Sequence, residues 1–373
     1  MVRAPDCLIV GGGIIGCTLA LRLRQRGLSV TVLERERIGA EASSAAAGIL
    51  SPQLEVDAPG PLLDLALRAR TGYPSFVAEL EAASGQSIGF ASSGLIALCS
   101  SDAAAATLAT RAEWQRSLGL RVDTWTSSDL SREEPACAPH RAWYFPDEMQ
   151  VEPERLMQAL GRACVQAGVV FEIAEVRRVV CEREVAIGVE LDRQLRTAGA
   201  IVVATGSWSS QLAAGGVVVE PVHGQLVELR SGSRPLRHVV VSGGGYIVPR
   251  SDGRVVIGAT EERTGFAKAV TAQGVESLLA RALAICPALA EAKFERAWSG
   301  LRPFSPSGRP AIGPTAINRL FVAAGHHRNG ILLAPATADL LVPSILGDPP
   351  EPLLQAFLPS FALRQDQKAQ DER

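Results

Sequence analysis

The sequence predicts an α/β fold: a Rossmann-type body interrupted by a second, α+β domain built on a mixed sheet. Three observations predict it. The chain opens strand, glycine turn, helix, strand. Its middle switches to short β-like runs with isolated helices, and near its end a strand, turn and helix recur. At 373 residues there is room for two domains and an ample core.

In order, the apolar run Cys7–Val10 reads as a strand, and residues 14 to 26 as a helix stopped by Gly27. Val30–Glu34 is a second strand. A loop of small residues, 41 to 48, follows. Leu62, Leu65, Ala66, Ala69, Tyr73, Phe76, Val77 and Leu80 recur at helical spacing, despite Pro74, up to Ser84-Gly85. The texture then changes to a β-like run at 94–99 and a helix capped by Ser101 or Asp102, which places a domain crossing near residue 88. Pro153 sits in the first turn of another helix, where its missing N–H costs nothing, and that helix runs to Gly168. A strand at 169–173, a hairpin region and the apolar run 200–204 come next. Strands at 226–229, 239–241, 246–249 and 255–258 with a helix at 271–285 describe the inserted sheet. The body closes with a strand at 320–324, a turn at Gly325 and a helix at 330–346, and the polar stretch past Asp348 reads as a frayed tail.

Composition removes several function classes. There are 37 Lys+Arg against 39 Asp+Glu, a net charge of -2, which argues against a polyanion or anionic-membrane partner. Only Lys268, Lys293 and Lys368 are lysines, so the basic residues are nearly all arginine, the side chain that clamps carboxylates bidentately. Seven scattered cysteines without a CxxC pair fit a reduced, cytoplasmic protein. The run Cys7–Leu21 resembles a signal-peptide core, but its three glycines and the Arg22/Arg24/Arg26 ladder fit a strand–turn–helix better. No stretch is expected to span a membrane. The 35 glycines, about 9% against a usual ~7%, show no G-X-Y period and point to local backbone chemistry.

Gly11-Gly12-Gly13-Ile14-Ile15-Gly16 is a G-x-G-x-x-G turn between a strand and a helix, with Glu34 about 20 residues on. The glycines permit the tight turn, the approach of a pyrophosphate and close helix–strand packing, and the helix N-terminus faces the phosphates. A carboxylate at Glu34 accepts from ribose hydroxyls and repels a 2′-phosphate, which disfavours NADP. The motif does not separate FAD from NAD. Ile201–Gly206 followed by Ser207-Trp208 ends a buried strand in a small-residue turn. Leu320–Gly330 aims a second helix N-terminus at the same crevice, which suits an isoalloxazine carrying negative charge when reduced. The adjacent His326 and His327 lack metal-helix spacing and a third ligand, so no metal site is expected. His223, Glu261 and Glu262 read as surface or hairpin residues, and Arg302 by itself as a loop arginine.

Taken with Ser43–Gly48, Tyr246–Arg250 followed by Gly258-Ala-Thr260, Gly300–Pro303 and Gly325–Pro335, these motifs resemble the glycine oxidases of thiamine biosynthesis, within the D-amino-acid oxidase and sarcosine oxidase superfamily. The resemblance spans residues 7 to about 345. It implies a Rossmann-type FAD-binding domain (1–87, 146–218 and 301–347), an inserted mixed-sheet substrate domain (88–145 and 219–300) and a C-terminal tail (348–373). It implies FAD on Gly11, Gly13, Ile14, Ile15, Gly16, Glu34, Arg35, Ser43, Ser44, Ala47, Gly48, Val176, Thr205, Gly206, Trp208, Arg328, Asn329, Gly330 and Ile331. It implies a substrate carboxylate on Arg302 and Tyr246 with Arg328 nearby, and hydride transfer to flavin without a side-chain base. Oxygen is the implied acceptor and a homo-oligomer the implied assembly. Pro303–Gly308 holds no cysteine, so the FAD is expected to be noncovalent. Glu261 follows Gly-Ala-Thr where relatives often carry an apolar residue. D-amino-acid or sarcosine oxidase, a flavin dehydrogenase with another acceptor, and a noncatalytic dinucleotide-binding redox sensor remain alternatives.

Overall fold

The computed structural model describes residues 4–99, 101–138, 140–212, 216–232 and 235–359. Two sheets organise it. The first has six strands in the order Ala311–Pro314, Leu320–Ala324, Ala200–Val203, Cys7–Val10, Val30–Glu34 and Val170–Ile173. All neighbours run parallel except the first pair, which is antiparallel. Parallel strands buried on both faces need continuous apolar runs, and Cys7–Val10, Ala200–Val203 and Leu320–Ala324 are buried at every position. The C-terminal ends of the parallel strands therefore open on one crevice, where ligands of such sheets bind.

Helices Ile14–Gln25, Pro61–Ser84 and Gly330–Leu346 pack together against this sheet. The expectation that no stretch could span a membrane needs correcting. His327–Leu346 is 20 residues long with a mean hydropathy of 1.4, long and apolar enough by composition. It is instead 61% buried, because it packs on the helices Ile14–Gln25 and Pro61–Ser84. A helix apolar all round is the signature of a core element as well as of a span.

The second sheet has eight strands: Lys293–Phe304, Glu220–Arg230, Arg254–Gly258, Gly245–Pro249, Val239–Ser242, Leu95–Leu98, Ala142–Phe145 and Asp123–Trp125. Glu220–Arg230 is longer than the predicted 226–229. Its partner Lys293–Phe304 was not anticipated as a strand at all, since its first three residues are exposed and it lacks a period-2 apolar pattern. The frayed-tail reading is also corrected. Pro352–Phe357 forms a 3₁₀ turn that buries Leu354 and Phe357, each 1% exposed, in the first core. The remaining tail, residues 360–373, lies outside the described residues.

Candidate active site

A cavity of about 490 Å³ runs between the two sheets. One end is built by the opening βαβ unit. Gly11 has φ +109°, and a Cβ there would stand 2.4 Å from the Ala204 carbonyl oxygen, so only glycine lets the two strand ends meet. Gly11, Gly13, Ile14 and Ile15 line this end, with Ser43 across from them. The Ser43 hydroxyl accepts from the Ile14 N–H at 2.9 Å, a donor at the helix start that has no partner within the helix itself. Glu34 lies beside it, its carboxylate accepting from the N–H groups of Gly12 (2.8 Å) and Glu36 (3.0 Å). Those bonds fix the carboxylate and leave each oxygen a second lone pair.

Ala47, Gly48, Thr205, Gly206 and Val176 continue the lining. So does Trp208, on whose ring the Arg35 guanidinium stacks at 3.8 Å; Arg35 also pairs with Glu41 at 2.8 Å. The small-residue loop is clamped from the second sheet. Trp298 Nε1 donates to the Ala45 carbonyl at 3.0 Å, and the buried Arg250 donates to the carbonyls of Ala47 (2.6 Å) and Val151 (3.1 Å).

Arg302, Tyr246 and Arg328 meet at the other end. Arg302 sits on the long strand, not in a loop, opposite Val222. Its guanidinium donates to the Thr260 carbonyl through both Nη atoms at 3.2 Å and to the His223 carbonyl at 3.4 Å. Among the described residues no carboxylate neutralises it. A Cβ on Gly224 would fall 2.4 Å from Arg302 Nη1, so the glycine makes room for the guanidinium to lie flat. Burial raises the Tyr246 phenol above the usual tyrosine range, while the charges of Arg302 and Arg328 pull it back.

Three predicted residues do not reach the cavity wall. Gly16 packs its helix on the strand, a Cβ there falling 2.0 Å from the Gly11 carbonyl oxygen. Ser44 turns toward Gly39, and Asn329 is taken up by the turn, its N–H bonding the His326 carbonyl at 2.9 Å. His223 was read as a surface residue and is buried behind Arg302, its Nδ1 3.3 Å from Glu262. Glu261 is exposed and not part of the wall.

His327 and Glu55 are among the lining residues that the sequence reading did not assign to the site. His327, at φ +48°, is pushed down to about pKa 4 by burial and by the nearby arginines, so it is a neutral ring, and its Nε2 has no partner among the described residues. Glu55 pairs with Arg328 at 3.0 Å. Glu55 carries no local signal, since its contact with Arg328 spans 273 positions.

A glycine turn, the Glu34 carboxylate and a second helix N-terminus at Gly330 share one cavity with a guanidinium that, among the described residues, has no counter-ion. That donor set suits a flavin dinucleotide beside a small carboxylate.

Comparison with known proteins agrees. The chain is 37% identical to the glycine oxidase of Geobacillus kaustophilus (strain HTA426), over 91% of this chain and 93% of that protein. It is 36% identical to the bifunctional protein ThiO/ThiG of Synechocystis sp., covering 96% of this chain but only 54% of that longer protein. The crystal structure of glycine oxidase from Geobacillus kaustophilus superposes with a TM-score of 0.91 at 35% identity, covering 95% and 98% of the two chains. The FAD dependent oxidoreductase family model matches residues 6–343, the stretch that builds both ends of the cavity, and the chain belongs to that family.

Proposed function

We propose that this FAD-dependent enzyme is a glycine oxidase, converting glycine, oxygen and water to glyoxylate, ammonia and hydrogen peroxide. The observation that carries the reading is Arg302: a cavity-facing guanidinium held by two carbonyls and, among the described residues, lacking a carboxylate partner. A substrate carboxylate supplies the missing partner through paired charge-assisted bonds. Tyr246 adds a phenol donor on the same side.

Gly11, Gly13, Ile14, Ser43, Glu34, Val176 and the turn at Arg328–Ile331 would hold the FAD, noncovalently because no cysteine follows Arg302 in 303–308. When bound, FAD supplies the acceptor for the Cα hydride and passes the electrons to oxygen. The chain's part is to hold the carboxylate, orient Cα and keep the amine as a free base. Cationic Arg302 and an uncharged His327 disfavour an ammonium at this end of the cavity. The imine then leaves or is hydrolysed, and in its pathway it feeds thiazole assembly for thiamine. The same reading places the protein in the cytoplasm as a homo-oligomer. It assigns 1–87, 146–218 and 301–347 to FAD and 88–145 and 219–300 to substrate.

The test is a peroxide and ammonia assay with glycine, sarcosine and D-alanine. Turnover fastest with glycine supports the reading. D-Alanine well ahead of glycine makes the protein a D-amino-acid oxidase, and reduction without peroxide makes it a dehydrogenase.

A further inference from the structure

The cavity holds two arginines, and they are not equivalent. Among the described residues Arg302 faces it without a counter-ion, whereas Arg328 is paired with Glu55 at 3.0 Å. Glu55 does not reach Arg328 by chance of a flexible loop. It ends the short helix Pro52–Glu55, whose Gln53 carbonyl accepts from Gln115 Nε2 at 2.6 Å and whose Leu54 carbonyl accepts from Arg111 at 2.5 Å. Arg328 is presented by the turn that follows Gly325 and opens the last helix. Glu55 and Arg328 both line the cavity, and both act electrostatically on the Tyr246 phenol together with Arg302.

We propose that Glu55 sets substrate specificity by occupying Arg328, so that the site takes amino acids with one carboxylate and refuses amines carrying a second anionic group. The inference rests on the glycine oxidase reading and deepens it. A guanidinium released from Glu55 becomes a second carboxylate anchor in the same cavity, suited to secondary amines with an acidic group at each end. Left paired, Glu55 meets the distal carboxylate as a like charge, which disfavours its binding. This is selection by repulsion as much as by fit.

The experiment compares iminodiacetate with its neutral isostere N-(carbamoylmethyl)glycine, in which one carboxylate is an amide, reading kcat/KM by peroxide release from the holoenzyme. In the wild type the ratio of the two is expected below one, and a ratio above one overturns the proposal without any variant. Glu55→Gln is expected to raise the ratio about tenfold, and adding Arg328→Leu to Glu55→Gln to cut that rise. A ratio that stays put in Glu55→Gln, or that rises equally in the double variant, overturns the proposal. Glu55→Asp, which keeps the charge but shortens its reach, gives a second reading and should raise the ratio less. Glycine is run in the same plate. If glycine yields no peroxide the oxidase reading fails and takes this inference with it; if glycine turns over and the ratio does not respond, only the inference fails.

Discussion

At Arg302 the account depends on one guanidinium meeting a cavity instead of a carboxylate. Arg302→Ala should lose ~2–5 kcal/mol of transition-state stabilisation, on the order of 10²-fold or more in kcat/KM for glycine, while FAD stays bound, because Arg302 is not among the residues that would hold the cofactor. The check is steady-state kinetics beside the FAD-to-protein ratio. His326 makes a separate prediction about stability. It is buried, bonded through Nε2 to the Thr337 hydroxyl at 3.0 Å, and burial lowers its pKa to about 3. The unfolded chain, with a histidine pKa of about 6.5, binds the proton first, so the folded state loses stability as pH falls from about 6.5 toward 3. His327, lowered to about 4, acts in the same direction. Tm measured across pH 7 to 4 should fall, and His326→Gln should flatten part of the slope. A slope identical in the variant contradicts the assignment. Residue types at the site were legible in the sequence, because glycine turns, Glu34 and Arg302 belong to motifs. Partnerships were not: Glu55 with Arg328 and His223 with Glu262 join segments far apart in the chain, and nothing local marks them.

Among the elements, those with a strong period were read nearly to the residue. Cys7–Val10, Val30–Glu34 and Leu320–Ala324 match, as does the helix Gly330–Leu346, because buried parallel strands and glycine stops leave sharp edges in the sequence. Lys293–Phe304 escaped because its exposed Lys293-Phe-Glu295 start and its pairing along the whole of Glu220–Arg230 are tertiary facts. That strand matters most for function, since it carries both Arg302 and Trp298. With Arg250, just past the strand Gly245–Pro249 of the same sheet, Trp298 grips the loop 42–48 from the second sheet. Arg250→Leu should therefore weaken FAD retention, by about tenfold or more in Kd measured by FAD titration, since it frees the Ala47 and Val151 carbonyls from a buried donor. Unchanged FAD affinity would show that the loop is held by its own backbone.

The molecule as a whole couples two sheets across one cavity, and its near-neutral charge suits a small substrate better than a polyanion. The end of the described chain contributes to that body more than its polar sequence promised. Phe357→Ala should cost ~3–5 kcal/mol of stability, read as a lower denaturation midpoint, because the ring is 1% exposed in the core shared with the last helix. A cost under about 0.5 kcal/mol would return Pro352–Phe357 to the surface. The central claim is that this body places a carboxylate-anchored glycine beside FAD. Anaerobic mixing of the holoenzyme with glycine tests it most directly. The account predicts saturable bleaching of the flavin absorption band in the wild type and its near loss in Arg302→Ala; a wild-type flavin that stays oxidised in excess glycine, or an Arg302→Ala variant that bleaches at the wild-type rate, would contradict it.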